Sequence, residues 1–205
     1  MNAKIVLFSL LTMSFAFLLT ACGGDDDEES LENITIAIKD DGTTSDGSIF
    51  SAIDDQNFYI DYVKYSMVEG HLEVTGYDSK GFRGVAKIVS RIAYRGNTLD
   101  VLAIGKSAFN SCTRLTSVTI PNSVTSIDEE AFYCCESLTS ITIPNSVTSV
   151  GGKAFCGCSS LITIIIPNSV KSIAHAAFAY CSSLTSVSIP NSVTSIEWVA
   201  FAECI

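Results

Sequence analysis

The chain has 205 residues, with 22 acidic side chains against 12 basic ones and a formal net charge of −10 at pH 7. This acidic balance argues against nucleic acid or an anionic lipid surface as the partner of the folded part. The only two histidines are His71 and His175. They leave few candidates for a general base, which narrows the options for an enzyme sharply.

The first residues are typical of a secretory signal. Lys4 precedes an apolar run from Ile5 to Leu19, which is shorter than the roughly 20 residues that span a bilayer. The run ends in Leu-Thr-Ala-Cys22, which resembles the bacterial lipobox. That resemblance implies removal of residues 1–21 and a lipid on Cys22, which would anchor the protein without a spanning helix. The alternative is an ordinary signal peptide followed by an incidental cysteine.

An acidic segment follows, and residues 22–56 are predicted to be a flexible tether. Between Asp25 and Asp61 the chain has 12 acidic residues against one base, Lys39, so the segment repels itself and has little apolar surface to bury. A solvated spacer is the simplest interpretation. The acidic run directly behind the cysteine also resembles the surface-export signal of Bacteroides-type lipoproteins. The apolar alternation at Ile34–Ile38 is left open, since it fits a strand or a piece of a preceding domain.

Residues 57–100 are predicted to form an N-terminal β cap. Aromatic and β-branched runs at Phe58–Val63, His71–Thr75 and Lys87–Ile92 are separated by turn-forming residues, which is the spacing of hairpin strands. The first coil of a repeat array leaves an apolar face open, so a capping element is required before it.

Residues 101–205 repeat with a period of 23. Three residue types mark the period: Pro121, Pro144, Pro167 and Pro190; Phe109, Phe132, Phe155, Phe178 and Phe201; and Cys112, Cys135, Cys158, Cys181 and Cys204. A period of about 20–29 residues with Leu-x-x-Ile-x-Ile in each copy predicts a leucine-rich-repeat solenoid. We expect a continuous parallel β-sheet, few or no regular helices, and the β cap in front of it.

The outward strand positions of the repeats predict a ligand-binding face. They form rows of Ser and Thr, which Ile162 and Ile165 interrupt in the third repeat. Exposed apolar residues in a polar field can mark a contact site, although neutral drift in a tolerant repeat explains the same pattern. The candidate ligand-binding residues are Ser140, Thr142, Ile162, Thr163, Ile165, Ser186 and Ser188.

The sequence indicates no catalytic or metal-binding site. The period-23 cysteines are predicted to be reduced, buried filler, because equivalent side chains on stacked coils project in parallel and bridge poorly. Cys134-Cys135 and Cys156-Gly-Cys158 look like metal spacing, but no histidine accompanies them. With no phosphate-binding loop, nucleophile elbow or supported carboxylate pair, we predict no catalytic residue, no metal and no cofactor.

Five Ala-Phe-x-x-Cys units share one register, each following a Val-x-x-Ile-like stretch. This pattern resembles the BspA-type leucine-rich repeat over Val101–Ile205. The resemblance implies a cell-surface or secreted protein of Bacteroidetes and similar microbes. Some relatives bind host matrix or plasma proteins, and others aid co-aggregation between bacteria.

The resulting expectation is a non-enzymatic, adhesin-like protein, lipid-anchored at the outer membrane or cell surface. Its partners would be host matrix or surface proteins or glycans, with no nucleic acid and with membrane contact through the lipid anchor alone. The alternative is a self-assembling surface component without a specific host ligand. It would associate through the uncapped repeat at Cys204-Ile205.

Overall fold

The structure, a computed structural model, describes residues 35–38, 44–54, 56–94 and 96–204. These residues contain strands and turns and no helix, so none of them forms a helix that could cross a membrane. The strands are β1 (Thr35–Ala37), β2 (Phe50–Ala52), β3 (Asn57–Ile60), β4 (Val63–Val68), β5 (His71–Tyr77), β6 (Val85–Lys87), β7 (Arg91–Tyr94), β8 (Asn97–Ile104), β9 (Ser117–Thr119), β10 (Ser126–Ile127), β11 (Ser149–Val150), β12 (Thr163–Ile165), β13 (Ser172–Ile173), β14 (Ser186–Ser188) and β15 (Ser195–Ile196).

A mixed sheet with the strand order β1-β7-β8-β5-β4-β3-β2, called the N-terminal sheet below, leads into the repeats. Strands β2 to β5 form an antiparallel meander, whereas β5 and β8 pair in parallel. The C-terminal end of β8 also pairs in parallel with β10, at Ala103↔Ser126 and Ile104↔Ile127. One strand therefore belongs to both the N-terminal sheet and the first repeat coil, and its backbone hydrogen bonds join the two.

Two strands lie inside the range 22–56 that was predicted to be a flexible tether, so this boundary needs correction. Strand β1 pairs in parallel with β7, and Ile36 at its centre is fully buried. Strand β2 pairs with β3, and the Phe50 ring packs against Phe58 at a centroid distance of 5.7 Å. The high acidic content misled the prediction, because a few well-placed apolar residues anchor these strands among the charges.

The repeat coils up to Leu184 bury the side that was predicted to face inward. In the coil that starts at Leu138, the buried side chains are Leu138, Ile141, Ile143, Val147, Val150, Ala154, Phe155 and Cys158. Strand residues contribute the front of this core, and the Ala-Phe-x-x-Cys unit contributes the back. A single coil cannot cover these side chains by itself, so the coils gain stability by stacking.

A column of phenylalanine rings runs through the stacked coils. Successive rings from Phe109 to Phe201 are 5.2–5.4 Å apart, with interplanar angles of only 2–8°. Tyr77 of β5 stacks on Phe109 at 6.0 Å and covers the first ring. The N-terminal sheet thus closes the apolar column at its first coil, which is the role that was expected of a cap.

The back of each coil bonds to the following coil through the backbone. The amide of Phe155 donates to the carbonyl of Ala177 at 2.8 Å, and the amide of Phe178 donates to Ala200 at 2.8 Å. Two residues per coil take a left-handed conformation around these bonds, for example Lys153 at φ 56° and Gly157 at φ 78°. Such residues turn alternate amides toward the next coil, at a steric cost of roughly 1 kcal/mol for a side chain with a Cβ.

The predicted leucine-rich-repeat solenoid, with parallel pairing and without regular helices, is confirmed for the described residues. Neighbouring coils pair in parallel at β6–β9, β10–β11, β12–β14 and β13–β15. The expected sheet is, however, a series of short pairs. Between β9 and β12 only Ser140 forms a bridge, to Thr163, and the amide of Thr139 lies 3.5 Å from the carbonyl of Thr116. Because the strands have two or three residues, one stretched hydrogen bond is enough to end a ladder.

Candidate functional site

The strand face is the surface formed by the outward residues of β6, β9, β12 and β14 and of residues 140–142 between them. The register places Thr163 beside Ser186 and Ile165 beside Ser188. At the start of the face, Val85 lies beside Ser117 and Lys87 beside Thr119. Two parallel rows of side chains therefore cross the coils, as the 23-residue period requires.

All seven candidate ligand-binding residues are exposed, and the structure brings six of them together in these two rows. One row continues through Ser140, Thr163 and Ser186, and the other through Thr142, Ile165 and Ser188. The Ile165 side chain is 68% exposed in the middle of its row. The predicted lipidation site, Cys22, lies outside the described residues.

Ile162 differs from the other six because it precedes β12 and lies at the entry corner of the strand. Equivalent threonines in other coils use their hydroxyl groups for the scaffold: Thr116 Oγ1 donates to the carbonyl of Gly84 at 3.0 Å, and Thr185 Oγ1 donates to Ile162 at 3.2 Å. Isoleucine has no hydroxyl, so this coil-to-coil bond is replaced by an apolar side chain that is 49% exposed. The substitution places apolar surface where the next coil has a hydroxyl group that bonds to the scaffold.

Two ion pairs of the described coils lie beside the Ala-Phe-x-x-Cys units, away from these rows. Lys106 Nζ contacts Glu129 Oε2 at 2.6 Å, and Lys153 Nζ contacts Glu130 Oε1 at 3.5 Å. Each pair joins equivalent positions of neighbouring coils, 23 residues apart. From Thr119 to Ser188 the two rows themselves contain Ser, Thr and Ile alone, so recognition there would rest on hydroxyl groups and apolar contact.

The buried thiols of the coils donate hydrogen bonds to the backbone. The Sγ atoms of Cys135, Cys158 and Cys181 donate to phenylalanine carbonyls of the preceding coil at 3.1–3.2 Å. Burial raises the pKa of Cys158 well above its usual value and that of Cys181 to about 12. A nucleophilic cysteine needs the opposite shift. The described cysteines are free, and among the described residues no group of three His, Cys, Asp or Glu side chains could hold a metal ion.

Neither histidine is placed as the base of a thiol enzyme. His71 Nε2 contacts Glu73 Oε1 at 3.3 Å within β5. The His175 ring stacks on Trp198 of the next coil at 3.8 Å, and its Nδ1 lies 3.2 Å from the Trp198 carbonyl. This stacking pair was not anticipated from the sequence; the 23-residue offset between the two positions is the signal that could have predicted it.

A cleft at the start of the strand face was also missed. It lies where the loop before β2 and the turn after β3 meet the ends of β6 and β9, and it has a volume of about 320 Å³. Asp46, Asp61, Lys87 and Thr119 contribute to its walls. Asp46 falls in the segment that was predicted to be tether and Asp61 in the predicted β cap, so nothing in the local pattern suggested that they converge.

Comparison with known proteins adds to this geometry. Residues 100–205 match the model of the BspA type leucine rich repeat region in six copies. A leucine-rich repeat protein of T. pallidum is 32% identical, with a TM-score of 0.62 over 70% of this chain and 65% of that one. Another, from Bacteroides capillosus, is 27% identical, with a TM-score of 0.61 over 67% of this chain and 100% of that one.

A third solved structure is a leucine rich cell surface protein of Faecalibacterium prausnitzii. It is 29% identical, with a TM-score of 0.56 over 74% of this chain and 47% of that one. This chain therefore spans less than two thirds of the T. pallidum and F. prausnitzii chains. No curated protein sequence matches it significantly.

Proposed function

Since the chain belongs to the BspA-type leucine-rich repeat family, as its Ala-Phe-x-x-Cys units predicted, we propose that it is an adhesin-like recognition protein. It binds a protein or glycan of a host or of another bacterium through the strand face. Leucine-rich repeats of this kind are typically non-enzymatic binding scaffolds, and proteins of this family are commonly found at the cell surface. The ligand does not follow from the scaffold, because one fold supports many partners.

The observation that carries this proposal is the pair of exposed isoleucines in an uncharged field of hydroxyl groups. Ile165 stands between Thr142 and Ser188 in its row, and Ile162 lies at the corner of the same coil. The two side chains together offer apolar contact, and the surrounding Ser and Thr side chains can both donate and accept hydrogen bonds. This combination is similar to the centre of a protein interface, where apolar anchors are surrounded by a polar rim.

We also propose that the protein is held at the outer membrane or cell surface by a lipid on Cys22, with the acidic residues behind it as a spacer. The motif Leu-Thr-Ala-Cys22 supports this proposal, as does the F. prausnitzii relative that is described as a cell surface protein. Metabolic labelling with a fatty acid analogue tests it. Label should enter the wild-type protein and not Cys22→Ser, and equal labelling of both would reject the anchor.

The binding face can be tested by screening the whole chain against immobilised host matrix proteins and glycans. The variant with Ile162→Ser and Ile165→Thr restores the pattern of the neighbouring coils and removes only the apolar contact. We expect it to weaken binding about tenfold or more, as loss of a buried apolar anchor does. Ile53→Ser is the matched control, since Ile53 is 49% exposed outside the strand face. Equal binding by the double variant and the wild type would reject the face.

Self-association is the second candidate. Ile189 and Ile196 are 43% and 52% exposed, although the equivalent Ile166 and Ile173 of the preceding coil are buried. A second copy of the chain would cover these side chains by stacking. Light scattering across a hundredfold range of concentration tests this candidate, because a constant monomer mass would exclude it.

A further inference from the structure

The cleft at the start of the strand face combines features that the strand face itself lacks. Its volume of about 320 Å³ is at the lower end of the range of about 300–1,000 Å³ that is typical of small-ligand sites. Two carboxylates, one ammonium group and three hydroxyl groups line it, while Ile88, Val89 and Pro121 add apolar wall. Donors, acceptors and apolar surface thus meet in one concave place.

Hydrogen bonds from the neighbouring backbone hold both carboxylates in position. Asp46 accepts from the amide of Ser48 at 3.0 Å and from its hydroxyl group at 2.9 Å. Burial opposes ionisation of Asp46, but these hydrogen bonds outweigh it and lower the pKa, so the group is a carboxylate at neutral pH. Asp61 Oδ1 accepts from the amide of Ile49 at 2.8 Å. A carboxylate has about four lone-pair sites, so each of these groups can accept further hydrogen bonds from a ligand.

The donors come from the opposite wall. Lys87 on β6 and Thr119 on β9 are register partners, so their side chains leave the sheet side by side. The Lys87 ammonium group carries three N–H donors, and the Thr119 hydroxyl group can donate or accept. The positive charge of Lys87 offsets one of the two carboxylates and leaves one net negative charge in the cleft. The net charge disfavours an anionic ligand, and the ammonium group repels a cation placed beside it.

We propose that this cleft binds a neutral saccharide ring. Vicinal hydroxyl groups of the ring donate to the carboxylates of Asp46 and Asp61, while Lys87 and Thr119 donate to ring or hydroxyl oxygens. The C–H face of the ring packs on the apolar wall. A peptide amine would face Lys87, and a sulfated or sialylated sugar would face the two carboxylates, so a neutral sugar fits the charges best.

This site is separate from the two isoleucines. Adjacent strands lie about 4.8 Å apart, and Lys87 is three strand positions from Ile165 along the row that runs through Thr119 and Thr142. The two sites are therefore roughly 14 Å apart along the sheet. Binding at one site can therefore be lost without loss of binding at the other. A linear glycan that starts in the cleft could continue along the strand face.

Saturation-transfer difference NMR on the whole chain tests the proposal. The probes are methyl β-D-galactopyranoside, methyl α-D-mannopyranoside and N-acetylglucosamine, with N-acetylneuraminic acid and lysine methyl ester as charged comparisons. We expect transfer to at least one neutral sugar and none to the two charged probes. Asp61→Asn should weaken that binding about tenfold, which is the typical effect of losing a charged hydrogen-bond acceptor.

The substitution is chosen to leave the fold intact. Asp61 has a φ of 45°, which asparagine tolerates well, and the amide oxygen of asparagine can still accept from Ile49. Asp78→Asn is the matched control, since Asp78 holds a similar turn through the amide of Lys80 at 2.9 Å and does not line the cleft. It should bind the sugar normally, as should the variant with Ile162→Ser and Ile165→Thr.

Three results would overturn the proposal. They are no transfer to any of the three neutral sugars, equal transfer with Asp61→Asn and wild type, or transfer to a charged probe instead. Loss of sugar binding in the double isoleucine variant together with normal binding by Asp61→Asn would move the sugar to the strand face and also reject the cleft.

Discussion

The N-terminal sheet and the repeat coils both bury aromatic side chains, but they pack these side chains in different ways. Around Phe58 the aromatic neighbours Phe50 and Tyr94 meet at tilted angles of 43° and 50°, and the pairing of β4 with β5 shifts register between Lys64 and Tyr65. In the coils the phenylalanine rings are stacked almost parallel, and each coil bonds to its neighbours in the chain. Irregular packing gives individual side chains unique positions, whereas repetition gives each one the same position in every coil.

This difference carries over to the surfaces. Where the N-terminal sheet meets the first coils, charged groups of both signs converge on a concave cleft. The coils themselves present rows of hydroxyl groups that are interrupted at Ile165, with Ile162 exposed at the corner of the same coil. A cleft suits a small, specific ligand, while a flat uniform row suits an extended contact with a large partner.

The largest effect that separates the two regions should come from truncating one ring of the column. We expect Phe155→Ala to lower the free energy of unfolding by about 3–5 kcal/mol, the usual cost of removing a buried aromatic ring. Because coils are stabilised mainly by their neighbours, the loss should spread along the array. Hydrogen–deuterium exchange should then accelerate in the coils on both sides, around Phe132 and Phe178.

Phe58→Ala is the matched variant in the N-terminal sheet, where the ring is just as buried. We expect a similar loss of stability, with faster exchange that is concentrated in β3 and β4 and leaves the coil around Phe178 protected. If Phe155→Ala accelerates exchange in its own coil alone, or if both variants accelerate exchange throughout the chain, the contrast between the two regions is wrong.

An intermediate effect should come from alkaline pH. Burial raises the pKa of Cys181 from its ordinary value of 9.0 to about 12 and also raises that of Cys135. Above about pH 9 the thiols ionise in the unfolded chain but remain protonated in the folded one, so stability is complete below this pH and falls as the pH rises. The limiting slope is about 1.4 kcal/mol per pH unit for each such thiol.

Urea midpoints measured between pH 8 and pH 11 test this expectation. Cys181→Ala should make the midpoint fall less steeply with pH, although its stability at pH 8 is lower because the thiol no longer donates to the carbonyl of Phe155. An unchanged slope in this variant would show that the buried thiols do not control the alkaline loss of stability.

The smallest effect concerns the left-handed residues that recur in every coil. Val199 has a φ of 52°, which is strained for a β-branched side chain. Asparagine accepts this conformation more readily, so we expect Val199→Asn to stabilise the protein by up to about 1 kcal/mol. Thermal unfolding measures the gain. Ser195→Asn, which changes an exposed residue of the same coil outside the left-handed positions, should give no gain. A loss of stability with Val199→Asn would show that Val199 is not strained.

The repeats could be predicted from the sequence because residues one period apart occupy equivalent positions in stacked coils and contact each other. The period that joins Phe132, Phe155 and Phe178 predicts which residues lie above one another, and Leu138 and Ile141 were correctly expected to face inward. The hydrogen-bond partners of the threonine hydroxyl groups could not be predicted in the same way. Thr185 Oγ1 donates to the carbonyl of Ile162 because the two coils lie close enough for a hydrogen bond. The sequence pattern of a repeat does not give this distance.

The N-terminal sheet could be predicted only as a set of strand segments. The pairing of β1 with β7 joins Ile36 to Ile92 across more than 50 residues, and no periodicity marks such a contact. The cleft was missed for the same reason. Asp46 and Asp61 resemble the other acidic residues of their segment until the fold brings them beside Lys87.

The most direct test of the proposed strand face is hydrogen–deuterium exchange of the whole chain with and without a ligand from the binding screen. Because the central claim is that partners contact the coils through this face, we expect the strongest protection in the peptide that covers residues 161–166, with weaker protection in residues 139–143 and 185–189. Protection confined to the Ala-Phe-x-x-Cys side of the coils, with none in these three segments, would contradict the claim.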